Sequence, residues 1–272
     1  MPQTTDTLAR LQETLTRAFR ERRPITLKSA LLRNAGEEKL ELIVDRLFRE
    51  LGQTEMTGPA YAAIRELVQN ASKANLKRVL FDDLHVNPND RQNYHEGMDV
   101  FRRRLTQTRL SEHAKLIQSR GLYFTISFHY TADVLCVSVR NPFVLFPAEE
   151  MRVREKFTQS NGADNLYEYY QRYGDSVEGA GMGIAMVQIL LHQAGFSHRS
   201  FSIFSDLIRQ HTVARIILPL TPEYVLPRDR FAREAQRRNI PADQLREEMR
   251  RGFVQFPVLR PTIEMSEWYS GK

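Results

Sequence analysis

The segment GAGMGIAMVQILL, Gly179 to Leu191, constrains this chain more than any other. Glycines stand at 179, 181 and 183, and an apolar helical pattern follows at once through Ile184, Met186, Val187, Ile189 and Leu190. Glycine reaches positive φ without steric cost and lets a ligand approach the backbone. The N–H groups that open a helix have no intrahelical partner. A glycine turn running into a helix therefore suits a phosphate group, although the same arrangement also serves as an ordinary tight turn. Two common phosphate loops are excluded. The only Gly-Lys pair is Gly271-Lys272, so there is no G-x-x-x-x-G-K-[ST] loop. A dinucleotide fingerprint requires G-x-G-x-x-G after an apolar strand, whereas here the spacing is G-x-G-x-G after the polar stretch NLYEYYQRYGDSVE.

A second segment, AYAAIRELVQNASKA from Ala60 to Ala74, gives the first a partner. Ile64, Leu67, Val68 and Ala71 form the apolar face of a helix, with Thr57 placed to cap it and Pro59 in its first turn. Glu66 and Asn70 are four apart, hence on one face and about 6 Å apart along the axis, and Lys73 follows one turn later. A carboxylate, an amide oxygen and an ammonium on one stripe match the needs of a Mg–triphosphate site. The amide oxygen is a hard ligand for Mg²⁺, the ammonium pairs with phosphate, and the carboxylate can orient or deprotonate a nucleophile. A solvated helix face with mixed charges would read the same way.

Together the two segments resemble the GHKL superfamily, the Bergerat-fold ATP-binding group of histidine kinases, anti-sigma-factor kinases, type II topoisomerases and chaperones of the ninety-kilodalton class. ELVQNASKA looks like the N-box of that family and EGAGMGIAMV like its G2 box at the end of the nucleotide lid. His192 to Leu220 resembles its closing hairpin, with Thr212 near the expected adenine pocket. The resemblance spans roughly 24–220. It implies an α+β two-layer sandwich with a mixed, mainly antiparallel sheet covered on one face by helices. It also implies ATP and Mg²⁺ as ligands. The metal would sit on Asn70, nucleotide contacts would come from Lys73, Asn141, Gly179, Gly181, Gly183 and Thr212, and Glu66 would be the catalytic carboxylate. The chain departs from the family at the base. Asn141 stands where an aspartate normally reads the adenine amino group, Pro142 follows it, and His211 replaces the glycine before Thr212.

Around this centre the expected organisation is an N-terminal helix (1–23), the ATP-binding domain (24–220), a helical insertion (82–118), a lid (143–178) and a C-terminal extension (221–272). Within it, 24–32 reads as a strand, 37–51 as an amphipathic helix, and 123–129 with 134–140 as a hairpin. Lys156 in the lid is within reach of a phosphate or is a plain surface lysine. The Arg102–Arg104 run reads as a solvated face. The lid tyrosines 167, 169, 170 and 173 read as packing or as a cover for the nucleotide.

The 272 residues carry a net charge of +6 with acids and bases interleaved, which favours a solvated surface over a nucleic-acid partner. No apolar run approaches the ~18 residues of a membrane span. The lone Cys136 permits no disulfide framework and reads as a buried hydrophobe. The expected setting is cytoplasmic. No histidine precedes His85, so the helix before the N-box lacks the phosphoacceptor of a sensor kinase. Two functions follow from the resemblance. One is a stand-alone protein kinase or signalling regulator acting on a separate protein, alone or as a homodimer. The other is a non-catalytic ATP-binding switch whose lid and tail dock a partner. A topoisomerase-like or chaperone-like machine is disfavoured, because the short tail has no room for a transducer domain.

Overall fold

The computed structural model describes residues 2–107, 113–161, 163, 165–173 and 182–250. Gly179 and Gly181, and the Pro-punctuated tail after 250, lie outside the described residues. The chain is α+β, with five strands and ten α-helices among the described residues.

The strands are β1 (Ile25–Ser29), β2 (Phe124–Tyr130), β3 (Val134–Asn141), β4 (Phe201–Asp206) and β5 (His211–Pro219). They form one sheet in the order β1-β2-β3-β5-β4. Every pairing is antiparallel, where a mixed sheet was expected. Two of the four pairings are hairpins, which can only be antiparallel. The other two return across the sheet by long helical connections that leave direction open.

Side chains alternate across the sheet. Phe124, Ile126 and Phe128 of β2, Leu135, Val137 and Val139 of β3, and Ile216 and Leu218 of β5 share one buried cluster with the helices. Those helices are α1 (Pro2–Arg20), α2 (Asn34–Glu50), α3 (Thr57–Asp83) and α8 (Met182–Gln193). Leu40, Ile43, Val44, Leu47 and Phe48 of α2 are all fully buried, and each such side chain contributes about 1.5–3 kcal/mol of transfer free energy. The opposite face of β2 and β3 is polar, with Ser127, His129, Cys136 and Ser138 all buried. Burial, followed by the charges of Arg140 and Arg215, pushes the His129 imidazole down to about 4. Burial pushes the Cys136 thiol up to about 12, in keeping with an inert buried hydrophobe.

The segment expected as an insertion holds α4 (Arg91–Gln107) and α5 (Ala114–Ser119) among its described residues. Met98, Phe101 and Ile117 pack with Leu76, Val79, Leu80 and Phe81 of α3 in a second cluster. Gly97 permits this approach, since a Cβ there would stand 2.7 Å from Val86. The segment expected as a lid holds α6 (Pro147–Ser160) and α7 (Leu166–Tyr173) among its described residues. In α7 only Tyr169 of the four tyrosines is fully buried, its ring tilted against that of Tyr173, while Tyr167 and Tyr170 are exposed. After β5, Tyr224 and Leu226 pack on Val134 and Ile217. The helices α9 (Pro227–Arg238) and α10 (Ala242–Arg250) follow, separated at Pro241 as the sequence indicates.

One expected detail is corrected. Thr57 does not cap α3. It is the first helical residue, and Met56 holds the N-cap position without a side-chain hydrogen bond. A 3-10 turn, Thr54–Met56, runs straight into the helix and takes over the work of a cap.

Candidate functional site

A cavity of about 540 Å³ opens between α3, α4, α6, the start of α8 and one end of the sheet. Its floor is a stripe of α3, namely Asn70, Lys73, Ala74 and Lys77. This spacing of three and four residues keeps one helical face turned inward. The sheet adds Val139 and Asn141 from β3, Ile203 from β4, and Thr212 and Ala214 from β5. Asn141 and Thr212 are register partners, so the last residue of β3 and the second residue of β5 arrive side by side. Helix α8 contributes Gly183 and Ile184.

The two sequence motifs, more than a hundred residues apart, meet here. A Cβ on Gly183 would lie 2.0 Å from Glu66 Oε1 and 2.7 Å from Asn70 Nδ2. A Cβ at 183 would have to displace that carboxylate and amide, so glycine lets the first turn of α8 rest against both where they stand. Of the sequence-derived candidates, Asn70, Lys73, Asn141, Gly183 and Thr212 line one cavity, and Glu66 touches Gly183 at its edge.

Two of these side chains already have partners. The Thr212 hydroxyl donates to the Phe143 carbonyl at 2.7 Å, which holds the segment after Asn141 in place. The Asn141 amide nitrogen donates to the Ala71 carbonyl at 3.0 Å and to Asn75 Oδ1 at 2.8 Å. Among the described residues no group of three or more His, Cys, Asp or Glu side chains is placed to hold a metal ion. A cation here would rely on Asn70 and the ligand's own oxygens, in line with the preference of Mg²⁺ for few protein ligands.

The lining is strongly basic. Among the described lining residues Lys73, Lys77, Arg102, Arg152 and Lys156 outnumber the carboxylate Glu149. Lys77 is in direct contact with Glu149, and Arg78 reaches the same carboxylate at 3.3 Å. Burial would raise the Glu149 pKa, but Lys77 and Arg78 outweigh it and hold the carboxyl below its ordinary value. Burial lowers Lys77, with Glu149 opposing. Burial likewise lowers Lys156 and Arg152. Arg78 lies over Phe146 at 3.5 Å and Phe143 at 4.4 Å and donates to the Val144 carbonyl at 2.8 Å, clamping the loop between β3 and α6. A pocket with this charge balance favours an anionic ligand.

Some of this was not legible in the sequence. Arg102, read as part of a solvated run, lines the cavity as well as pairing with Asp99 at 3.0 Å. Lys156, the lid residue read as either a phosphate contact or a surface lysine, is a wall residue whose Nζ donates to Gln159 Oε1 at 2.9 Å. Tyr94, Met98, Phe101 and Leu105 of the insertion form an apolar wall. Burial, followed by Glu149, pushes the Tyr94 hydroxyl up to about 12. The continued stripe from Asn70 to Lys77 was the available signal for Lys77. Glu149 three residues into a helix opened by Pro147 signalled only a helix start, and its carboxylate does accept the Phe146 N–H at 2.8 Å.

No protein-family model matches this chain, and no solved structure matches it. Over 207 residues it is 25% identical to an uncharacterized protein of Treponema pallidum (strain Nichols). The match covers 76% of this chain and 40% of that protein, so this chain spans well under two thirds of its relative.

Proposed function

We propose that this chain is a Mg-ATP-binding protein of the GHKL superfamily with a Bergerat fold. In this reading it works in the cytoplasm as a protein kinase or signalling regulator that acts on a separate protein. The observation that carries the proposal is the meeting of Glu66, Asn70 and Gly183 at a basic cavity that Asn141 and Thr212, paired in register, also line. The contact between two motifs that are individually weak supports this reading.

The roles follow from the chemistry. Asn70 holds Mg²⁺ through its amide oxygen, and the metal supplies charge neutralisation at the phosphates. Lys73 and the N–H groups at the start of α8 bind phosphate oxygens. Asn141 lies at the base and Thr212 supports it. Glu66, one turn before Asn70, orients or deprotonates the attacking water or hydroxyl. Phosphoryl transfer depends mostly on positioning and charge, so Glu66 governs rate more than affinity.

Calorimetry and a phosphotransfer assay test this. Wild-type protein binds ATP in a Mg-dependent manner, Asn70→Asp weakens binding strongly, and Glu66→Gln binds like wild type while losing most turnover. Absence of binding at millimolar ATP overturns the proposal. A second reading, a nucleotide-operated switch without turnover, is favoured by one feature. The lid helix α6 is tied to α3 through Glu149, whose partner Lys77 also lines the cavity. An anion that recruits Lys77 loosens that tie. Binding with no turnover in either wild type or Glu66→Gln selects this reading.

A further inference from the structure

Asn141 is 5% exposed, and its amide polarity is set by its neighbours. Its Nδ2 donates to the Ala71 carbonyl and to Asn75 Oδ1. Asn75 cannot turn its own amide round, because its Nδ2 donates to two main-chain carbonyls, Ala30 at 3.0 Å and Leu122 at 3.2 Å. A carbonyl oxygen only accepts. Asn75 is also fully buried, so the flipped amide would set oxygen against oxygen with no water to compensate. Asn75 therefore aims an oxygen at position 141, and the residue there must answer with a donor. An aspartate at 141 would place a carboxylate oxygen against two acceptors. Asn141 Oδ1 has no hydrogen-bond partner among the described residues, and Asn141 lines the cavity.

We propose that Asn75 is a positioning residue that sets which base this cavity accepts. It holds the Asn141 amide with the nitrogen turned into the protein and the oxygen left for the ligand. The cavity then selects a purine that donates from its 6-position over one that carries a 6-oxo group. The inference rests on the nucleotide reading above. It also explains why asparagine stands where related proteins are expected to carry aspartate: the neighbour at 75 requires a donor, and a neutral amide supplies both that donor and the acceptor the base needs. Ala71 O supports the same orientation, so losing Asn75 weakens the lock without abolishing it.

The test compares Mg-ATP with Mg-inosine triphosphate, which carries a 6-oxo group in place of the 6-amino group, by calorimetry on the full chain. Wild type is expected to prefer ATP by about tenfold or more, the effect of one mismatched buried hydrogen bond. Asn75→Leu should narrow that ratio several-fold, and Asn141→Leu should bring it close to one. Asn75→Leu added to Asn141→Leu should change the ratio no further, because Asn75 acts only through Asn141. A purely structural role for Asn75 would lower stability and leave the ratio unmoved, and that result overturns the inference. Equal wild-type affinity for the two nucleotides overturns it as well, whether or not the variants fold. Failure of both nucleotides to bind removes the nucleotide reading itself, an outcome distinct from binding without discrimination.

Discussion

The two halves of α3 are built differently. Up to Ala71 the helix buries apolar side chains, with Ile64, Leu67 and Val68 set in the main core beneath the sheet. From Ser72 onward it also buries polar ones. Ser72 Oγ accepts from the Leu32 N–H at 2.9 Å, Asn75 donates to the Ala30 and Leu122 carbonyls, and Arg78 donates to the Val144 carbonyl. Each of these bonds fastens a loop that enters or leaves the sheet. The first half contributes stability that does not depend on direction. The second half gives up some of that burial for directed bonds, and those bonds fix the shape of the cavity wall. A buried polar group is tolerated only with a partner, so each one also specifies where its partner must be.

Substitutions in the two halves, and at the groups they position, test this difference. The largest stability loss is expected from the apolar half. Ile64→Ala, at a side chain 1% exposed, should cost about 2–5 kcal/mol in denaturant unfolding and leave the ATP-to-inosine-triphosphate preference unchanged in whatever folds. A changed preference would show that the two halves are not separable.

Next is Glu149→Gln, which removes the charge that Lys77 and Arg78 share. A loss of about 1–3 kcal/mol is expected at neutral pH. Because the native carboxyl is held below its ordinary value, its contribution is complete above the unfolded carboxylate pKa of about 4.3. It fades as pH falls from there through the lower native value. The gap between wild type and variant should therefore be flat near neutrality and close in acid. A gap that widens in acid would mean that the ion pair does not anchor α6.

Gly183→Ala should cost stability only modestly, about 1 kcal/mol or less, because the colliding atoms belong to the movable end of Glu66 and the amide of Asn70. Under the proposed nucleotide reading its effect should fall on ligand binding, with Mg-ATP affinity reduced about tenfold or more, since it displaces the proposed metal ligand and the carboxylate beside it. Unaltered affinity would place the phosphates elsewhere in the cavity. The smallest effect is expected for Thr57→Ala. Thr57 caps nothing, so the melting curve should shift within the equivalent of about 0.5 kcal/mol, where a true cap would cost about twice that.

Much of the scaffold was legible in the sequence because periodicity records burial directly. The alternation of 123–129 and 134–140 gave the β2–β3 hairpin to within a residue or two, and the Leu40–Phe48 pattern gave α2. Element ends were less legible. Helix α3 continues to Asp83, beyond the apolar face read from Ile64 to Ala71; Asn75 and Arg78 are buried yet partnered, so they interrupt the apolar pattern without interrupting the helix.

By itself the sequence determined that Glu66, Asn70 and Lys73 share one face, since helical geometry follows from spacing alone. It also determined that an apolar helix, α8, follows the alternating glycines. Only the tertiary structure decided that this helix rests on Glu66 and Asn70, that the insertion and α6 wall the cavity with Arg102, Arg152 and Lys156, and which way the Asn141 amide faces. The physical reason is that these outcomes depend on pairs such as Asn75 with Leu122 and Lys77 with Glu149. Their partners lie far apart in the chain, and their geometry is fixed by hydrogen-bond direction and charge, neither of which leaves a period in the sequence.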